Sequence, residues 1–225
     1  MLKKLKDDEI FCDEYLKLFA VRFIYGNLLL EDDKVLVSNP KRAIEVYNHM
    51  QALKYCLNMV KDKNNRLTPY QVQRIHEIIN KDINFFPKGY RKTKVIIGNN
   101  SFIPEQPSKI PLKVMCLFDN YYNTWTFRDV FEKEALFHLG LVRIQPFEDV
   151  NKRTATIATN YNLLNQGYAP IIIDNDYKDK YFNYLFTNNS MGLAKLLERS
   201  SQQELLVMRD LCNRLNPVKE KEKII

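Results

Sequence analysis

Apolar residues recur at helical spacing along most of the chain, and capping signals separate the resulting segments. The first segment covers residues 8–25 and is expected to stop at Gly26 and Asn27, because glycine and asparagine are common just past helix ends. Asn39 can cap the next helix, with Pro40 in its first turn, where a missing N–H costs little. The same periodicity predicts the remaining helices over residues 40–62, 68–79, 112–122, 129–142, 151–166, 178–185 and 191–215.

The segment 85–111 has a different pattern. Residues 94–97 read Lys-Val-Ile-Ile and residues 101–103 read Ser-Phe-Ile, with Gly98-Asn-Asn100 between them and several prolines after them. Two β-prone runs separated by glycine and asparagine are typical of a β-hairpin. The chain is therefore predicted to be an all-α bundle that carries one β-hairpin over about residues 94–107.

Composition agrees with a helical protein that folds around one core. The 225 residues include only 6 glycines, well below the roughly 7% that is usual in soluble chains, which favours helices over a turn-rich β fold. No internal repeat or composition break marks a domain boundary. The length is sufficient for a substantial core, so one domain with elaborations is expected.

Charge and cysteine content narrow the class of protein. The net charge is +7, but the lysines are scattered rather than clustered, so nucleic acid is not favoured as a partner. The 4 cysteines form no Cys-x-x-Cys pair, which indicates neither a zinc site nor a disulfide framework. No apolar run approaches the roughly 20 residues of a membrane span, so no membrane association is expected. A cytoplasmic protein is predicted, with leaderless secretion as an effector kept as the alternative.

The richest candidate motif is Leu141-Val-Arg-Ile-Gln-Pro-Phe-Glu-Asp-Val-Asn-Lys-Arg-Thr154. It resembles the signature of the Fic/Doc family (filamentation-induced-by-cAMP and death-on-curing proteins), His-x-Phe-x-(Asp/Glu)-Gly-Asn-(Gly/Lys)-Arg-x-x-Arg. Phe147 and Asp149 stand at their family places, whereas Gln145 occupies the place of the histidine. Further similarity in the expected order extends over residues 43–58, 67–79, 95–111, 168–173 and 176–181.

The resemblance implies a Fic-like helical bundle with a β-hairpin flap before the motif helix. It divides the chain into an N-terminal helical extension at 1–39, a Fic-like domain at 40–215 and a charged tail at 216–225. Family members usually transfer AMP from ATP to a protein hydroxyl, which the motif histidine deprotonates. Gln145 has no basic nitrogen near neutral pH, and losing a positioned general base typically removes on the order of 10²–10⁴ in rate.

The resemblance also assigns roles to the remaining motif positions. Asp149 is the expected Mg²⁺ ligand, and Asn151 and Arg153 are expected to hold phosphate oxygens, Arg153 through a charge-assisted fork. Val150 replaces a glycine, and a β-branched residue suits positive φ poorly, so the loop is expected to relax or to close over the phosphate site. The Asn-Lys-Arg-Thr sequence that contains Lys152 resembles the death-on-curing branch of the family. Members of that branch transfer the terminal phosphate of the nucleotide instead of AMP.

Two further family features concern regulation and docking. Many members carry an inhibitory helix whose glutamate pairs with the last motif arginine; here Tyr25 stands at the glutamate and Thr156 at that arginine, so both partners are missing. The family's flap docks a protein target by strand addition, which places Ile96, Ile97 and Phe102 at the docking edge.

These features together predict a catalytically impaired Fic protein, a pseudoenzyme of the adenylyltransferase type, with ATP or another nucleotide and Mg²⁺ as ligands if the site is competent. An active enzyme with altered chemistry, such as phosphoryl transfer, and a non-catalytic protein-binding module are the alternatives. A docked protein target is the expected partner, and oligomerisation stays open. His49, His76 and His138 are interpreted as structural residues.

Overall fold

The computed structural model describes residues 1–31, 40–61, 66–83, 88–97 and 102–215, without the side chains of 27–31, 40 and 42. Helices are the regular secondary structure found in these residues, so the all-α class of the prediction is confirmed. The described residues form the helices α1 (Leu2–Asp7), α2 (Glu9–Glu31), α3 (Pro40–Lys61), α4 (Pro69–Ile79), α5 (Ile110–Asp119), α6 (Val130–Ile144), α7 (Asn151–Asn165), α8 (Lys178–Thr187) and α9 (Ser190–Leu215).

Helix α7 is the centre of the bundle. It packs against α3, α4 and α6, and α6 in turn packs against α5 and α9. Only Lys152 and Asn165 of its residues are not buried, so its polar side chains need partners inside the core. Asn160 shows how this is done, because its amide donates to the carbonyl of Ile171 at 3.1 Å and accepts from the Ile171 N–H at 2.7 Å.

Helix α2 joins the bundle through a row of aromatic rings at every fourth position, which is one face of a helix. Phe11, Tyr15, Phe19 and Phe23 follow one another at ring-centroid distances of 6.2, 5.8 and 5.7 Å, and all four are buried. The Tyr15 hydroxyl donates to the Glu204 carboxylate on α9 at 2.9 Å. The first two helices therefore share the core with α3 and α9.

The predicted stop of the first helix at Gly26 is wrong, since α2 continues to Glu31. A Cβ atom at Gly26 would lie 3.1 Å from the carbonyl oxygen of Ile173. The glycine therefore allows the segment around Ile173 to approach the helix closely, and it does not end the helix. Sequence reasoning took a packing glycine for a capping glycine.

The predicted β-hairpin is also wrong. No β-strand occurs in any residue that the structure describes, and no backbone hydrogen bond joins residues 94–97 to residues 102–106. Instead, the guanidinium of Arg91 links the segment before the predicted turn to the segment after it, by donating to the carbonyls of Thr93 and Glu105. The predicted cap at Asn39, the predicted turn after residue 97 and the predicted tail at 216–225 lie outside the described residues.

No helix in the described part of the chain is both long enough and apolar enough to cross a membrane.

A polar cluster is sealed between α6 and the end of α7. The Glu134 carboxylate is fully buried and accepts hydrogen bonds from the Tyr121 hydroxyl and from the amides of Asn162 and Gln166, the last two at 3.0 Å. Burial raises the pKa of Glu134 to about 7, and the three donors oppose that rise. The ordinary pKa of this carboxyl is 4.5, so the folded state binds a proton that the unfolded state has already released.

This pKa difference predicts a pH-dependent stability. The contribution of Glu134 is complete below pH 4.5 and is lost as pH rises towards 7, by about 3 kcal/mol in total. The Glu134→Gln variant should lack this slope, because an amide does not titrate. Denaturant unfolding of both proteins between about pH 5 and pH 8 measures the difference, and parallel pH profiles would contradict the assignment.

Candidate functional site

The loop from Gln145 to Val150 joins α6 to α7 and carries the motif. Gln145 ends α6 in the left-handed conformation, with φ 49° and ψ 62°, and its backbone N–H donates to the Leu141 carbonyl. Its side chain is only 8% exposed and folds back, so that Nε2 donates to the Val142 carbonyl at 2.8 Å. Gln145 therefore caps the end of its own helix with the group that stands where the family has its base.

Asn151 holds the middle of the loop. Its side-chain oxygen accepts from the Phe147 N–H at 2.8 Å, and its amide nitrogen donates to the Phe147 carbonyl at 2.9 Å. The Phe147 ring is buried and stacks on His76, with ring centroids 3.9 Å apart and an interplanar angle of 9°. In this conformation the Asn151 amide is occupied by the loop itself.

Val150 adopts a left-handed backbone conformation, which glycine, the residue of the resembled signature at this place, adopts at little cost. Its φ is 52° and its ψ is 23°, and its side chain is buried. A left-handed conformation costs a non-glycine residue about 1–3 kcal/mol, and burial of the isopropyl group offsets that cost. The loop therefore holds a strained residue at the start of α7.

Asp149 precedes the first turn of α7 and is exposed to solvent. Its carboxylate accepts from the Val150 N–H at 2.6 Å. The first N–H groups of a helix and the positive end of its dipole favour an anion at this place. An exposed carboxylate beside the start of a helix has the oxygen chemistry that Mg²⁺ prefers, although no cluster of three or more His, Cys, Asp or Glu residues occurs among the described residues.

The other motif positions point to different sides of α7. Arg153 is buried, and its Nη1 lies 3.5 Å from the Glu45 carboxylate on α3. The Lys152 ammonium lies 5.0 Å from the ring centroid of Phe182 on α8. Thr156 donates its hydroxyl to the Lys152 carbonyl at 3.0 Å, one turn back along its own helix. The structure thus brings Gln145, Asp149, Val150 and Asn151 together, but it sends Arg153 towards α3.

Sequence reasoning missed Arg91, whose side chain fixes the loop from outside. Arg91 is 3% exposed, and its Nε donates to the Gln145 carbonyl at 2.6 Å. Its backbone N–H donates to the Pro146 carbonyl at 2.9 Å, and its Nη1 donates to the Thr93 carbonyl at 2.7 Å. A buried arginine that bonds carbonyl groups has no sequence pattern of its own, so only the folded structure identifies it.

The three histidines are buried in the core. Burial lowers the pKa of His49 to about 3 and the pKa values of His76 and His138 to about 4, so all three are neutral near pH 7. His138 is hydrogen-bonded through Nε2 to the Tyr181 hydroxyl at 2.9 Å. Their positions agree with the structural interpretation.

The predicted docking and regulatory residues lie in different places. Ile96 is 85% exposed, Ile97 is half-buried, and the Phe102 ring centroid lies 4.9 Å from the Arg143 guanidinium. Tyr25 is about half exposed on α2, which packs mainly on α1, α3 and α9. The arm that carries Ile96 is tied to the motif loop, because the Thr93 hydroxyl donates to the Glu148 carboxylate at 2.7 Å.

Comparison with known proteins agrees with this layout. Residues 66–163 match the family model described as the Fic/DOC family. A protein adenylyltransferase Fic from Aedes aegypti is 30% identical over 142 residues, covering 61% of this chain and 28% of that protein. A protein of the same name from Nematostella vectensis is 29% identical over 148 residues, covering 63% of this chain and 33% of that protein. These matches therefore span a third or less of the curated relatives.

Solved structures share the fold. A Fic-domain-containing signalling protein from Bacteroides thetaiotaomicron superimposes with a TM-score of 0.71 at 20% identity, covering 99% of this chain and 97% of that chain. A Fic-1 fragment from C. elegans gives 0.72 at 16% identity, covering 93% of this chain and 69% of that chain.

The role of Arg91 predicts a large effect on stability. We expect Arg91→Ala to lower the free energy of unfolding by about 3 kcal/mol, because several buried carbonyl groups lose a charged donor. Lys92→Ala is the matched control, since Lys92 is the exposed neighbour with the same charge, and it should change stability by less than about 0.5 kcal/mol. Equal denaturant midpoints for the two variants would show that Arg91 does not hold the loop.

Proposed function

Because this chain belongs to the Fic/DOC family, we propose that its motif loop is a Fic-type nucleotide site that has lost its general base. The proposed protein is a pseudoenzyme of the AMP-transfer type, or at most a very slow enzyme. The relatives named protein adenylyltransferases support AMP transfer as the ancestral chemistry. They share less than half of their length with this chain, so the reaction is a proposal for it.

The geometry of Gln145 is the observation that carries this proposal. An amide cannot take a proton from an attacking hydroxyl near neutral pH. The Gln145 amide is moreover bonded to the Val142 carbonyl and almost buried. The position that should activate the target hydroxyl therefore stabilises the end of α6 instead.

Nucleotide binding is proposed to be weak as well. ATP would place its phosphates at the first turn of α7, where backbone N–H groups bind anions. Asp149 has a suitable carboxylate for Mg²⁺, which would neutralise phosphate charge when bound. The amide of Asn151 is already bonded to Phe147, and Arg153 lies against the Glu45 carboxylate, so phosphate would have to compete for both.

Phosphoryl transfer is less well supported than a degenerate AMP-transfer site. Lys152 is the residue that suggests it, and the Lys152 ammonium lies over the Phe182 ring. Binding the nucleotide in the opposite orientation would not supply a general base. Gln145 therefore limits phosphoryl transfer as well.

Target binding without turnover has one specific observation in its favour. Ile96 is 85% exposed on an arm that is bonded to the motif loop through Thr93 and Glu148. An exposed isoleucine contributes little to the core and is available to a partner. We therefore include docking of a protein target near Ile96, without strand addition, in the proposed function.

The loss of function can be tested by reconstructing the family residues. We expect Gln145→His alone to give little AMP transfer, because Val150 leaves the phosphate loop strained and blocked. The double variant Gln145→His with Val150→Gly should transfer AMP at least tenfold faster than the two single variants combined, since base and loop act as one unit. Incubation with Mg²⁺ and ATP followed by intact mass measurement detects the added adenylyl group.

The unaltered protein and the Val150→Gly variant are the controls for this test. Transfer by the Gln145→His single variant at the rate of the double variant would show that the loop is intact and that only the base is missing. Transfer by the unaltered protein at a comparable rate would overturn the pseudoenzyme proposal.

The docking role predicts a separation of binding from stability. We expect Ile96→Ser to leave the free energy of unfolding within about 0.5 kcal/mol of wild type, since the side chain is exposed. The same change should lower affinity for an identified protein target, as measured by calorimetry. Ile10→Ser is the matched control, because Ile10 is 73% exposed on α2, outside the predicted flap. Equal target affinity for both variants and wild type would remove the docking role.

A further inference from the structure

A cavity of about 790 Å³ lies between α3 and the C-terminal half of α4. This volume is within the range of small-molecule pockets, roughly 300–1,000 Å³. None of the motif residues 145–156 lines it among the residues that the structure describes. The cavity is therefore separate from the proposed nucleotide site and needs its own explanation.

The lining carries a surplus of positive charge. Its cations are Lys54, Arg74, Lys81 and Lys88, and its carboxylates are Glu77 and Asp82. Arg74 forms an ion pair with Glu77 at 2.8 Å, and the distant Asp13 lies 3.7 Å from Lys54. Among the lining residues that the structure describes, Asp82 is thus the one carboxylate left to oppose Lys81 and Lys88. Such a surplus attracts an anion.

The wall that carries Lys81 is fixed relative to α3. The Asn48 amide on α3 donates to the carbonyl of Ile79 at 3.2 Å and to the carbonyl of Lys81 at 2.6 Å. These bonds hold the turn after α4 against the helix that faces it. The backbone that carries Lys81 is therefore preorganised, which lowers the cost of binding.

His76 connects the cavity to the motif loop. Its ring belongs to the lining, is 4% exposed, and has no hydrogen-bond partner at Nε2. The same ring also contacts the motif loop. It stacks on Phe147, whose peptide groups are held by Asn151.

We propose that this cavity binds a small phosphorylated anion through Arg74, Lys81 and Lys88, and that occupancy stiffens the motif loop through His76 and Phe147. Phosphate suits the cationic lysines and the guanidinium of Arg74. Tyr47 and Tyr55 offer aromatic faces in the same lining, where a nucleobase attached to the phosphate can stack. Anion binding in this cavity does not require AMP transfer at the motif loop, so the proposal is independent of the proposed function.

Calorimetric titration of the full chain with inorganic pyrophosphate and with AMP tests the proposal. We expect both to bind, with AMP tighter if the base stacks on a tyrosine. The double variant Lys81→Glu with Lys88→Glu should bind each probe at least tenfold more weakly. The charge-matched control is Lys3→Glu with Lys92→Glu, because both lysines are exposed and lie outside the lining. An equal loss in both double variants would show non-specific attraction to a basic chain and would overturn the proposal.

Two further measurements separate the cavity from the motif. AMP affinity should survive Asp149→Ala with Lys152→Ala if AMP binds in the cavity, and its loss there would assign AMP to the motif site instead. Saturating pyrophosphate should also slow hydrogen exchange of the Phe147 and Val150 amides at least twofold, because both are bonded within the loop. Unchanged exchange with tight binding would overturn the coupling between the two places.

Discussion

The short loop between α6 and α7 depends on hydrogen bonds that side chains make to its backbone. Asn151 satisfies both peptide groups of Phe147, and Arg91 holds the carbonyl of Gln145 and, through its own N–H, that of Pro146. These bonds are needed because Gln145, Pro146 and Phe147 are buried, so their backbone groups cannot reach water. With the loop fixed, α7 enters the core at one angle, and the surrounding helices pack around it.

This arrangement explains how the loop accommodates two residues with strained backbone conformations. Gln145 and Val150 both adopt the left-handed conformation at the two ends of the loop. The backbone path is over-determined by Asn151, Arg91 and the stacked ring of Phe147, so it tolerates a strained valine. A loop held by these contacts keeps its shape without a histidine at position 145, which is consistent with the proposed pseudoenzyme.

The stacked rings of His76 and Phe147 link the motif loop to the cationic cavity. The His76 ring stacks on Phe147, and His76 is also one of the residues that line the cationic cavity. A contact between two stacked, buried rings transmits a displacement because neither ring has room to yield. Arg153 is part of the same region, since its pairing with Glu45 ties the start of α7 to α3, the helix that forms one wall of the cavity.

The sequence alone determined the helical architecture, because burial of apolar residues at a period of about 3.6 requires no knowledge of their partners. The start of α7 at Asn151 and the absence of a base at Gln145 were likewise readable, since both depend on residue identity at a known spacing. The tertiary structure decided what depends on contacts between distant segments. Gly26 is a close-packing position that only the presence of Ile173 reveals. The arms of the expected hairpin are bridged by Arg91 rather than by each other, because the partner of a backbone group is chosen by three-dimensional proximity and not by local propensity.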